Sequence, residues 1–137
     1  MRKRRFELRE LLQSKFLPQP KYKYSSFIKA GPFYYSAGMI ALDPKTGILV
    51  SGGPEHETDQ ILRTLSQALG DFELSFSHLV SAKIYTTKFD QFGLINKVWE
   101  KYFDADSVPP VRTSIGVAAL PLSATVEMEF VFYKLEK

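Results

Sequence analysis

The chain has 137 residues, 45% apolar and 14% aromatic, enough for one domain with one core and too apolar for a disordered tail. Its net charge of +3 hides an asymmetry. Residues 1–24 carry eight Lys or Arg against Glu7 and Glu10, a net of +6, which leaves −3 on residues 25–137. Cysteine is absent, which excludes a disulfide framework, a thiolate metal site and a cysteine nucleophile.

The apolar runs fall far short of the roughly 18–20 residues that span a bilayer. Met1-Arg2-Lys3-Arg4-Arg5 is basic like the start of a signal peptide, but no apolar run or small-residue cleavage site follows it. Glu7 and Glu10 argue against an acid-poor transit peptide. We therefore expect a cytoplasmic protein with no membrane partner. A nucleic-acid-binding core would carry a basic face. Here only the head is basic, and we read it as a solvated extension rather than an RNA-binding element.

Residues 6–16 set Leu8, Leu11, Leu12 and Phe16 at helical spacing among charges, which predicts a short amphipathic helix. Pro18 and Pro20 end it, since the residue before a proline is pushed away from helix. This divides the chain into a basic extension, 1–20, and a single domain, 21–137. Residues 25–30 and 33–38 read as strands turning at Gly31-Pro32. Asp43-Pro44-Lys45-Thr46-Gly47 is a turn, and Ile48-Leu49-Val50 a short third strand. A helix is expected over 57–72, with Ile61, Leu62, Leu65, Ala68, Leu69 and Phe72 on one stripe. Residues 79–87 form a strand, and 90–103 a second helix capped by Asp90. Two strands close the chain, about 111–119 and 124–134. The order β-β-β-α-β-α-β-β describes an α+β domain, one sheet with two helices on one face.

Alternation assigns faces. Val126, Met128, Phe130 and Phe132 suit the helix side, and Glu127, Glu129, Val131 and Tyr133 the other. In the preceding strand, Thr113, Ile115 and Val117 oppose Arg112, Ser114, Gly116 and Ala118. Two helices cover one face only, so a second subunit is expected on the other. If the two closing strands are neighbours, Arg112 and Glu127 meet on one face near that boundary, where pockets form.

Three blocks, in order and with matching spacing over about residues 22–135, resemble the reactive intermediate deaminase family, also called YjgF-type or L-PSP. They are Gly31-Pro32-Phe33-Tyr34-Tyr35-Ser36-Ala37-Gly38-Met39-Ile40 with Asp43 to Gly47, then Asp90-Gln91-Phe92 through Asn96, and then Pro110-Val111-Arg112-Thr113 through Leu120-Pro121 with Val126-Glu127-Met128. The resemblance implies a chorismate-mutase-like protomer, a homotrimer with clefts between subunits, and no metal or organic cofactor. It implies hydrolysis of reactive enamines and imines such as 2-aminoacrylate and 2-iminopropanoate to a 2-keto acid and ammonia. It gives Arg112 the substrate carboxylate and Glu127 the attacking water. Tyr24 and Asn96 would line the cleft, with Ala37 and Ser114 at further substrate-binding positions. Ala37, Met39 and Ser114 depart from the frequent serine, glutamine and cysteine, and Glu57 and Thr64 from common amides.

The same residues have plainer readings. An Arg and a Glu on adjacent strands often make a structural ion pair, a buried Asn often caps backbone groups, and a strand Tyr often only packs. His56 and His78 stand without a third ligand at metal spacing. Two other function classes stay open: a trimer that binds small molecules such as 2-keto acids without turnover, and an RNA-acting protein.

Overall fold

The computed structural model describes residues 8–136. Its elements are β1 (Glu10–Leu11), β2 (Phe27–Ala30), β3 (Phe33–Ser36), α1 (Gly53–Asp71), β4 (Leu79–Thr86), α2 (Phe92–Glu100), β5 (Val111–Gly116) and β6 (Val126–Tyr133). The six strands form one mixed sheet in the order β1-β2-β3-β6-β4-β5. All neighbours are antiparallel except β4 and β5, which run parallel. The α+β class and the two helices on one face are as expected.

The core forms between that face and the helices. Val126, Met128, Phe130 and Phe132 are all buried on β6, with Ala82, Ile84 and Thr86 beside them on β4. Above them sit Ile61, Leu62, Leu65 and Leu69 of α1 and Ile95 and Trp99 of α2. Each such aliphatic or aromatic side chain contributes about 1.5–3 kcal/mol by leaving water. α1 starts earlier than its apolar stripe suggests. Gly52 and Gly53 take positive φ, 115° and 76°, and Pro54 in the first turn needs no amide partner.

Glu57 is the one carboxylate buried among the described residues, 2% exposed. It accepts hydrogen bonds from the backbone N–H groups of Thr125, 2.8 Å, and Val126, 3.2 Å. A buried carboxyl oxygen with two backbone donors is a strong anchor, and this one fixes the start of β6 beside Glu127.

Three expectations are corrected. Residues 8–16 hold no helix. Glu10 and Leu11 pair instead with Lys29 and Ile28 of β2, and the Leu12 N–H donates to the Phe27 carbonyl. Helices this short are marginal in water, and an open sheet edge offers the same leucines backbone partners. The earlier part of that expected helix, residues 6–7, lies outside the described residues. Ile48 to Val50 make only a single bridge, Leu42 to Leu49, across the Asp43–Gly47 turn. The number of strands before α1 is therefore as expected, but the extension supplies one of them. Finally, β5 and β6 are not neighbours, because β4 lies between them.

Candidate active site

On β5, Arg112 pairs with Ala82 and Ser114 with Ile84, both buried residues on the helix side of β4. Alternation therefore turns Arg112, Ser114 and Gly116 towards α2, and Thr113 and Ile115 to the outer face. The half-buried Arg112 guanidinium donates from Nη2 to the Asn96 Oδ1, 2.7 Å away. It also lies 5.5 Å from the Phe92 ring centre and 5.2 Å from that of Trp99. Phe92, Asn96 and Trp99 are spaced four and three apart, so one stripe of α2 holds the cation. Two aromatic faces attract it by about 0.5–2 kcal/mol each and restrict its swing. Burial lowers its proton affinity and the charge of Glu100 opposes that. An arginine stays protonated through such shifts. With one edge of its fork on Asn96, the guanidinium keeps further N–H donors for an anion.

Glu127 lies on the other side of the sheet. It pairs with Tyr85, whose neighbours Ile84 and Thr86 point into the core. Its carboxylate sits against Gly38, and a Cβ there would overlap the acid group. Glycine is thus required for the carboxylate to lie over the backbone at this point. Burial first and the charge of Glu129 second raise the proton affinity of Glu127 above the ordinary carboxylate range. A carboxylate shifted this way is better matched to moving a proton near neutral pH.

Arg112 and Glu127 therefore do not meet within one protomer. They are three residues out of level along β4, about 10 Å, two strand spacings apart, and on opposite faces. A charge assigned to a shared face by alternation moved to the other face because the parallel register with β4 decides which row is inside.

A family model described as endoribonuclease L-PSP matches residues 15–133. The chain belongs to the L-PSP/Rid family. It is similar to a RutC family protein of Pyrococcus horikoshii, 32% identical over 127 residues that make up 93% of this chain and 99% of that one. It is similar to a mouse protein named 2-iminobutanoate/2-iminopropanoate deaminase, 30% identical over 122 residues and 89% of each chain. Among solved structures, a Rid family protein of Yersinia pestis superposes with a TM-score of 0.86 at 27% identity, covering 92% of this chain and 99% of that one.

In this Rid protomer the expected site residues fall into two groups. Arg112, Asn96 and Ser114 form the helix-side group. Glu127 belongs to the other, and Ala37 is next in sequence to the glycine under its carboxylate. Tyr24 stands at the same end of the sheet, two residues before Ser26, whose carbonyl accepts from the Ala37 N–H. It is 58% exposed and lines a hollow of about 210 Å³ under the extension, with Leu11, Leu17 and Tyr22. That hollow holds neither Arg112 nor Glu127. Neither histidine is near either group by its contacts: His56 Nδ1 faces the Gly52 carbonyl and His78 Nδ1 accepts from the Ser75 N–H.

Three functional features were missed from sequence. The aromatic cradle of Arg112 is visible in sequence only as Phe92 and Trp99 spaced four and three residues from Asn96, with no signal that a cation sits on them. Gly38 carried a signal only through its place in the first block. The anchoring role of Glu57 had no signal beyond a carboxylate on an apolar helix.

Proposed function

We propose that this protein hydrolyses reactive 2-imino acids and their enamine tautomers, of the 2-iminopropanoate and 2-aminoacrylate type, to a 2-keto acid and ammonia. The observation that carries the reading is the Arg112 guanidinium, held by Asn96, Phe92 and Trp99 with donors left for an anion. The similarity to the mouse protein named 2-iminobutanoate/2-iminopropanoate deaminase supports the same reaction class.

In the proposed reaction the guanidinium grips the substrate carboxylate with two charge-assisted bonds. Water attacks the imine carbon as Glu127 accepts its proton. The new C–O bond displaces the C=N electron pair onto nitrogen, which takes the proton from Glu127. Collapse of the resulting carbinolamine breaks the C–N bond as the hydroxyl proton passes through the same carboxylate to nitrogen, and ammonia leaves. The substrate is already reactive, so positioning and one proton carrier supply most of what is needed.

Because one protomer separates Arg112 from Glu127, the reading includes a homotrimer in which each cleft combines the helix-side group of one subunit with the outer-face group of the next. The outer face favours such a contact: Phe33, Tyr35, Ile115 and Tyr133 lie on it at 37–42% exposure. A cytoplasmic location fits a role in clearing these intermediates. The test is release of ammonia and keto acid from imines generated in situ by an amino-acid oxidase, across several side chains. Turnover above the spontaneous rate is expected. Tight binding of 2-keto acids with no turnover would instead make the protein a non-catalytic binder.

A further inference from the structure

The outer face carries a second feature that the reaction above does not use. Tyr85 stands directly across from Glu127, yet its hydroxyl donates to the Glu129 Oε1, 2.9 Å away on the diagonal. Glu127 and Glu129 are two residues apart on one strand, so their side chains leave the same face at positions about 7 Å apart along it. Lys83 stands across from Glu129. The charged or titratable groups facing Glu127 are thus Glu129 on its own strand and Tyr85 and Lys83 on β4. On that face β3 offers Tyr35, across from Val131, β5 offers Thr113 and Ile115, and the segment after β3 offers Gly38.

We propose that Tyr85 and Glu129 are positioning residues that, together with burial, help set the protonation of Glu127. The hydroxyl fixes the Glu129 carboxyl group in place on the face it shares with Glu127. A fixed like charge makes ionisation of Glu127 harder, so the base is tuned upward, towards working pH. Burial of the same face by a neighbouring subunit would lower the local dielectric and strengthen the coupling. The shared hydrogen bond is also the main reason Tyr85 holds its own proton more tightly than usual, which keeps it a donor. This inference rests on Glu127 as the proton carrier of the proposed reaction.

The experiment is a carboxyl-carbon NMR titration of the full-length, glutamate-labelled protein, run on wild type, Glu129→Gln and Tyr85→Phe, alongside the pH profile of imine hydrolysis. Glu129→Gln should lower the Glu127 midpoint by about 0.5–1.5 pH units. Tyr85→Phe releases Glu129 to solvent and should lower it by less. The acid limb of the rate should follow each shift. A Glu127 midpoint that stays put in Glu129→Gln overturns the proposal. The titration needs no turnover, so the two readings separate. If the midpoint moves and the acid limb does not, the pair does set the protonation of Glu127, and it is the assignment of Glu127 as the base that fails.

Discussion

Arg112→Lys is expected to lower imine hydrolysis by two or more orders of magnitude while leaving the fold intact. Lysine keeps the charge but is a point donor on a flexible stem, without the planar fork that grips both carboxylate oxygens. It also loses the flat stacking surface between Phe92 and Trp99 and the directed bond to Asn96. Misplacing the substrate carboxylate displaces the imine carbon from the water, and about 2.7 kcal/mol of lost transition-state binding gives that factor. The site lies at the sheet edge on β5, and Arg112 is only half buried, so thermal unfolding should shift little. kcat/KM within a few-fold of wild type would mean that the guanidinium is structural.

Glu127→Gln should cost a similar factor and change the pH profile as well. The wild-type carboxylate is raised in proton affinity by burial and by Glu129. As the base it works deprotonated, so activity should fall as pH falls through a midpoint above the ordinary carboxylate value. Glutamine cannot take a proton, so the residual rate should lose that acid limb. It keeps nearly the same shape, so it still fits over Gly38. A steady-state rate series from about pH 4 to 9 separates the two variants: Arg112→Lys should retain the acid limb, and Glu127→Gln should not. An unchanged profile in Glu127→Gln would assign the limb to another group.

The sequence made the core legible wherever burial alone sets the pattern. Alternation placed Val126, Met128, Phe130 and Phe132 inside correctly, because β6 is central and one of its faces meets the helices. The stripe of α1 was legible for the same reason. What alternation could not supply was the partner of each strand. β5 is followed in sequence by β6, yet it pairs with β4 in parallel, a relation set by contacts distant along the chain. With that register Arg112 turned to the helices, and the ion pair suggested by adjacency disappeared. The head failed for a related reason: Leu8, Leu11 and Leu12 fit a helical spacing, but the free edge of β2 took Glu10 and Leu11 as a strand. The residues of the candidate site were legible through the resemblance rather than through periodicity. Their grouping into two halves needed the sheet order.

Subunit complementation tests the shared cleft most directly. Arg112→Lys and Glu127→Gln protomers, each lowered by two or more orders of magnitude by itself, are unfolded together in equal amounts, refolded and assayed for imine hydrolysis. If each cleft takes Arg112 from one subunit and Glu127 from the next, random mixing leaves about one cleft in four with both native residues. Roughly a quarter of the wild-type specific activity should return, in particles of three protomer masses by light scattering. A mixture as inactive as its components, in trimers shown to contain both variants, would place the two residues in one and the same subunit's site and contradict the account.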